Sequence, residues 1–323
     1  VRYLARRLGH GLLLLLGVSL LSFALLELAP GDFWSEMRMS PGLDPAAVVA
    51  ARAAYGMDQP LPVRYARWLG SLARGELGYS FAYGAPVLPL LAQRARNTLL
   101  LAGVALLLAW LLAVPLGVWL AARRGGWPDR LGAAATSALL ALPDLVVALL
   151  LLMLAIRSGA FPVGGMVSPR FAELGGWGRA WDVAWHAALP VTALVLGVLP
   201  GLLRHVRAGM LEALQAPFLR AARAHGIPLR RQLFGYALRA AANPLVSLFG
   251  SSIASLLSVS LLTEVVMSWP GLGPLLLEAI LARDVYLVIG PVMVSTLLLL
   301  LGNLAADLML YAADPRIRRE TAS

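Results

Sequence analysis

Residues able to do chemistry are few in this chain, and their kinds exclude more than they offer. Four histidines, His10, His186, His205 and His225, are scattered, and none forms an HExxH pair or another spacing that would hold a metal. No GxSxG occurs, and no apolar stretch carries a His near its middle, where a nucleophile inside a bilayer would need its base. Cysteine is absent, which removes disulfides, thiolate metal sites and Cys nucleophiles. All 27 basic residues are Arg, and without Lys there is no P-loop to reach nucleotide phosphates. The expectation is no catalytic residue, no metal and no cofactor, so ATP-driven work would fall to another subunit.

What remains is charge and small residues in unusual places. Residues Arg204 to Asn243 hold seven Arg and a single acid, Glu212. Within them, Phe218 to Ile227 reads FLRAARAHGI, a short Ala/Arg helix stopped at Gly226, whose role would be a left-handed helix end. Ala221, Ala222 and Ala224 are small enough to let such a helix sit in a partner's groove. Arg220 and Arg223, three apart, share a face and suit acidic side chains or lipid phosphates. The pattern predicts a docking helix for a soluble cytoplasmic partner.

Two further constellations lie in apolar stretches. Asp144 follows the helix-breaking Pro143 near the middle of one of them. A charge there costs about 2.5–3.5 kcal/mol, so it either borders a water-filled path, where it could meet a cationic substrate group, or is satisfied by backbone N–H groups that Pro143 frees or by a polar neighbour. Ser247, Gly250, Ser251, Ala254, Ser255 and Ser258 put small and polar groups on one side of another stretch. That face serves helix packing, or a subunit interface beside a hydrophilic path to which Ser251, Ser255 and Ser258 would belong. Glu27, Glu264 and Asp307 stand nearer the ends of their stretches, where structural roles are expected.

The elements that must position these groups follow from composition. The chain is 59% hydrophobic and 14% charged, against about 25% charged in soluble domains. It reads as an integral membrane protein, and the net charge of +10 does not argue for nucleic acid. Spans of about 20 apolar residues are expected over roughly 8–29, 98–121, 131–156, 187–203, 245–267 and 288–312. The first follows Arg2, Arg6 and Arg7 as a signal peptide would, but its apolar run exceeds the usual 7–15 residues of such a region, so it is expected to be retained. An even number of spans places both termini on one side. That side, with the 122–130 and 204–243 loops, holds 16 of the 27 Arg, which makes it cytoplasmic.

On the opposite side, Asp44-Pro45 starts a short helix, AAVVAARAAY, ending at Gly56. Trp177, Trp181 and Trp185 recur every four residues, as an interfacial aromatic belt or a substrate-facing surface. Trp269-Pro270-Gly271-Leu272-Gly273 ends the fifth span sharply. The apolar LLLEAIL beyond it is too short to cross, so a half-helix or gate at the outer edge is expected around Trp269, Pro270, Gly271 and Gly273.

In order along the chain, these residues resemble the permease subunits of ABC importers of the dipeptide, oligopeptide and nickel class. RYLARRL, an apolar span and Ala29-Pro30-Gly31-Asp32 are similar to that family's opening. Gly56-Met57-Asp58-Gln59-Pro60-Leu61 resembles its GLDQPL, Gly75-Glu76-Leu77-Gly78-Tyr79-Ser80 its GDLGxS, and Arg96-Asn97-Thr98-Leu99 the lead into its second span. Arg220-Ala221-Ala222-Arg223-Ala224-His225-Gly226 resembles the EAA loop, Glu264 to Gly273 the ETVFSWPGLG stretch, and Asp314-Pro315-Arg316-Ile317-Arg318 the terminal DPRIR. Tyr236 and Ala240 depart from the His and Asn common after the docking helix.

The resemblance implies an all-α type I importer permease fold of six transmembrane helices, with a coupling helix between spans four and five. Residues 1–96 would form the N-terminal span and a long periplasmic loop. Residues 97–312 would form a five-span core with the coupling loop 204–243, and 313–323 a cytoplasmic tail. It further implies a bacterial or archaeal inner (plasma) membrane location. The implied partners are a second homologous permease, two cytoplasmic ATPase subunits, an extracytoplasmic solute-binding protein and membrane lipid. Peptides are the default substrate, with nickel complexes and other small solutes beside them. The rival reading, a stand-alone secondary transporter or channel, expects ionisable clusters at mid-bilayer or matching repeats; only Asp144 comes near.

Overall fold

Within a bilayer no water meets backbone N–H and C=O groups, so long apolar runs must close their hydrogen bonds internally as helices. The computed structural model, which describes residues 2–28, 31, 33–38 and 44–313, is helical throughout its apolar stretches. The order is α1 (Arg2–Leu28), α2 (Phe33–Arg38), α3 (Pro45–Ala54), α4 (Leu61–Leu72), β1 (Tyr79–Ser80), β2 (Ala85–Pro86), α5 (Val87–Ala122), α6 (Trp127–Ala141) and α7 (Asp144–Ser158). After a 3-10 turn (Phe171–Glu173) come α8 (Gly176–Gln215), α9 (Pro217–Ala224), α10 (Leu229–Arg231), a π-helical turn (Gln232–Ala237), α11 (Leu238–Ala240), α12 (Ala242–Val266), α13 (Leu272–Leu281) and α14 (Val285–Ala313). Ala29, Pro30 and Asp32 of the opening motif, and Asp314 to Arg318 with the rest of the tail, lie outside the described residues.

Among the described residues, five helices are long and apolar enough to cross a membrane, and the bent pair α6–α7 makes a sixth. The expected kink at Pro143 is a corner instead: α6 and α7 meet at 97°. Leu142 and Pro143 are both extended, with ψ of 129° and 140°, because a proline forces its predecessor out of the helical region. Two extended residues in succession reverse far more direction than one lost hydrogen bond. The fourth span also differs from expectation. α8 runs for 40 residues, roughly 60 Å, absorbing Pro190 and Pro200 and continuing well into both flanking loops.

The chain groups into two compact units, residues 1–98 with 270–298 and residues 99–269 with 299–323. In the first, Phe23, Trp68 and Ile289 form one core and Trp34, Val48 and Met57 another. α3 starts as its sequence requires, with Asp44 Oδ1 accepting the Ala46 N–H at 3.0 Å. The β1–β2 hairpin pairs Tyr79 with Pro86 and Ser80 with Ala85. Its anchor is Asp284, fully buried, which accepts from Ser80 Oγ (2.8 Å), the Ala82 N–H (3.0 Å) and, through its other oxygen, the Leu287 N–H (3.2 Å) in the first turn of α14. A buried carboxylate is tolerated because three donors meet it.

In the second unit, small residues set how closely the helices approach. Ala105, Ala109 and Ala113 recur every four residues on α5 and are fully buried. A Cβ on Gly117 would lie 2.6 Å from Val206, and one on Gly250 of α12 would overlap the Cβ of Ala306 on α14. Gly250 therefore belongs to a helix-packing seam, as small-residue contacts in membranes do. The serines beside it, at 247, 251, 255 and 258, face outward.

Two outcomes follow from this packing. Gly250→Ala should lower the thermal midpoint of the detergent-solubilised protein, since overpacking costs about 1–3 kcal/mol. Gly103→Ala, where a Cβ meets nothing within 4 Å, should leave the midpoint unchanged or raise it. Equal effects would remove Gly250 from the seam. Asp284→Ala should destabilise by about 3 kcal/mol by stranding buried donors, with Asp284→Asn milder. Thermal unfolding together with proteolysis of the 79–86 hairpin reads this out, and a wild-type profile for Asp284→Ala would deny the clamp.

Candidate coupling loop and pathway face

α8 and α9 share a corner. Ala216 is extended (φ −63°, ψ 147°), ending the first helix and preceding the second, and Pro217 occupies the first position of α9, where its missing N–H is harmless. Within α9, Leu219 and Ala222 stand three apart and are buried, at 0% and 8% exposure, in the main core cluster. Phe218, Arg220, Ala221, Arg223 and Ala224 face outward. Ala222, expected in a partner's groove, thus packs against its own chain. Its small side chain lets α9 lie close to the core, and the outer surface is Ala221 and Ala224 between two guanidinium groups.

The end of α9 is closed as its glycine suggests. Gly226 has φ +71°, the Ile227 N–H reaches back to the Ala222 carbonyl at 3.1 Å, and the Gly226 N–H reaches the Arg223 carbonyl at 3.0 Å. This double closure satisfies the last carbonyls and turns the chain away sharply. Gln232 Nε2 donates to the Ile227 carbonyl at 2.5 Å, holding the exit. The π-helical turn that follows sets Leu233 and Ala237 into the same core, with Tyr236 packed against it and Ala240 exposed. A π turn widens the helix by one residue per turn, and no local signal in QLFGYA announces it.

The sequence reading missed a second tie between this loop and the helices. Asp129, at the start of α6 and 5% exposed, accepts from Arg207 Nε (2.5 Å) and a second guanidinium nitrogen (2.8 Å), and from the Gly125 N–H (2.9 Å). The two parallel bonds fix orientation as well as distance. An acid in the first turn of a helix beside a basic loop was the available signal.

The pathway candidates are placed separately. Asp144 is exposed at the first residue of α7, directly after the corner, and its Oδ1 lies so close to Gly197 of α8 that a Cβ there would sit 2.6 Å away. Ser251, Ser255 and Ser258 are exposed along one face of α12. Ser251 and Ser258 donate to the carbonyls of Leu248 (2.9 Å) and Ala254 (3.1 Å), so their oxygens turn acceptor lone pairs outward. Among the described residues no hydrogen bond joins Asp144 to these serines. Beside the N-terminal end of this face of α12 lies a groove of about 410 Å³, bordered by His205, Glu212, Ser247 and Ser251.

At the other end of α12, Trp269 is fully buried and ends the helix by bonding back to the Glu264 carbonyl at 2.9 Å. Ser268 adopts φ +51° to make that possible, and the Gly165 N–H caps its carbonyl at 3.2 Å. Pro270 and Gly271 then enter the N-terminal unit. There Asn97 Nδ2 donates to the Pro270 carbonyl (2.8 Å), and the Leu272 N–H donates to Thr98 Oγ1 (2.9 Å). Gly271 and Gly273 are buried, and the short apolar α13 begins at Leu272. Trp177 and Trp181 are the most exposed aromatics of α8, at 89% and 67%, and Trp181 stacks on Trp185 at 6.2 Å.

The oligopeptide transport system permease protein AppB of Bacillus subtilis is 36% identical to this chain over 318 residues, covering 98% of each. The OppB oligopeptide permease of Mycobacterium tuberculosis is 35% identical over 324 residues, covering 98% of this chain and 99% of that one. The DppB dipeptide permease of Escherichia coli is 31% identical over 339 residues, covering 99% of both. Among solved structures, an inward-facing MetNI methionine ABC transporter chain matches with a TM-score of 0.58 at 19% identity, over 70% of this chain and 97% of that one. That likeness supports the importer permease fold. The model of the binding-protein-dependent transport system inner membrane component matches residues 113–319, and its N-terminal companion matches residues 1–102. Residue order, helix order and both matches agree: this chain belongs to the binding-protein-dependent transport system inner membrane component family, a multi-pass transport subunit and not an enzyme.

Proposed function

We propose that the chain forms half of a translocation path for peptides or similar small solutes, in an importer driven by ATP hydrolysed on separate subunits. The substrate class rests on the relatives named as oligopeptide and dipeptide permeases. Its partners in this reading are a second homologous permease, two cytoplasmic ATPases and an extracytoplasmic solute-binding protein, with both termini cytoplasmic. The observation that carries the reading is α9: a helix seated on the core by Leu219 and Ala222, with Arg220, Ala221, Arg223 and Ala224 turned outward.

The mechanism follows from that seating. A groove on the ATPase takes the small outer face, and the two Arg pair with its acids. When the ATPases close on ATP, α9 moves with them. Leu219, Ala222 and the Asp129–Arg207 bond pass that displacement to α8 and α6 without slack, because a packed core shifts as a unit. The serine face of α12 and Asp144, beside the corner of α6 and α7, would line the path that opens.

Ala221→Glu should place an uncompensated charge in the docking surface and Gly226→Val should distort the exit of α9, while no apolar span is touched. Both should reduce co-purification of the ATPases and cut transport in proteoliposomes by about tenfold or more. Normal association together with normal transport in both would leave α9 an ordinary basic linker. Asp144→Asn should lower uptake several-fold, by about 1 kcal/mol of lost interaction, with assembly intact. Transport at the wild-type rate by the assembled variant would take Asp144 off the path.

A further inference from the structure

The N-terminal unit contains a cavity of about 400 Å³, apart from the coupling loop and the serine face. Its aromatic wall is Phe33, Trp34 and Phe81, with Trp34 and Phe81 at 4.9 Å between ring centroids and Phe33 stacked on Phe81 at 5.9 Å. Three guanidinium groups border it, those of Arg52, Arg64 and Arg283, and the last two have hydrogen-bonding capacity to spare. Arg64, 9% exposed, gives one nitrogen to Glu27 Oε2 at 2.9 Å, while its Nε is buried and meets no acceptor. Arg283 comes from the end of α13, and among the described residues its guanidinium makes no hydrogen bond or ion pair.

Arg283 is held at the cavity by backbone geometry. It has φ +53°, unusual for a residue with a side chain, so that its own N–H and that of Asp284 can close α13 on the carbonyls of Ile280 and Ala279. Its guanidinium lies over Gly31 so closely that any Cβ there would collide with it. Gly31 in turn has φ +82°. The strained backbone of Arg283 and the left-handed turn at Gly31, which only a glycine adopts freely, thus meet at a cavity whose lining also holds the aromatic wall and Arg64 with its idle donor.

Like charges at one cavity repel, and a buried donor without an acceptor costs about 1–3 kcal/mol. An anionic oxygen group between the guanidiniums of Arg64 and Arg283 would relieve both, by the charge-assisted bonds that arginine forms best. Glu27 does this for one side of Arg64 only, and its carboxylate is half-exposed. We propose that this cavity is a binding site for a small carboxylic acid with an aromatic or branched apolar body, its carboxylate held by Arg283 and Arg64 and its body against Phe33, Trp34 and Phe81. The proposal needs only the geometry of this unit and stands or falls separately from the transport reading.

The test is a binding measurement on the full-length chain in zwitterionic phosphatidylcholine nanodiscs, with N-acetyl-4-fluoro-L-phenylalanine as probe and its 19F line as readout. Saturable binding is expected, and the corresponding amide, which lacks the carboxylate, should bind about tenfold more weakly or worse. Arg283→Gln should give a similar loss with an unchanged thermal midpoint, because its side chain has no structural partner. Gly31→Ala, which displaces Arg283, should weaken binding in the same direction. Absence of saturable binding to the wild-type chain, equal binding of acid and amide, or wild-type affinity in Arg283→Gln would each overturn the assignment.

Discussion

The structure depends on one constraint: every helix that ends within or beside a bilayer must find partners for its last carbonyl groups. Five of the described helices solve it in the same way, by turning one residue into the left-handed region and bonding two N–H groups backward: α3 at Gly56, α4 at Gly75, and α9, α12 and α13. At α9 the residue is Gly226, which adopts that region without steric cost. At α12 and α13 the residues are Ser268 and Arg283, which do not. The cost is accepted where the turn also places something: Trp269 in the core after Ser268, and Asp284 under the hairpin after Arg283. The chain's sharp corners are therefore where its functional candidates collect.

This explains which parts of the molecule were legible in the sequence. Apolar runs name their own helices, so the spans were readable, as were the Asp44 cap, the short helix at Phe218 and the stop at Gly226. The half-helix after Gly271 followed from its length alone. The angle at Pro143 was not readable, because sequence marks a broken hydrogen bond but not the second extended residue that turns a kink into a 97° corner. Nor was the length of α8, whose polar ends looked like loop because nothing apolar marked them.

The candidate site divides along the same line. Arg220, Ala221, Arg223 and Ala224 lie outward as a docking surface would, and composition suggested them. Ala222 faces inward, a distinction that helical phase relative to the core decides and that a run of alanines conceals. Asp129 and Arg207 are 78 residues apart, and Ser80 and Asp284 are 204 apart; pairings across such separations come from tertiary packing alone. The serine face of α12 was visible as a stripe, but its partition was not. Gly250 turns to Ala306 and the hydroxyls turn away, so one stripe serves a packing seam and an outward surface at once.

In the proposed importer, stiffness and not affinity determines what the docking helix can transmit. A helix attached only by flexible chain would follow the ATPases and leave the spans at rest. α9 has three attachments of different kinds. The shared Ala216 corner joins it to α8 covalently, Leu219 and Ala222 join it to the core by packing, and the Gly226 closure with Gln232 fixes the chain that leaves it. Packing resists compression and hydrogen bonds resist rotation, so together they leave rigid-body motion as the cheapest response to a push. α8 extends that response over roughly 60 Å, and Asp129–Arg207 engages α6 close to where the push arrives. The corner at Leu142–Pro143, two extended residues without a helical bond between them, is where such a motion would be absorbed, directly beside Asp144.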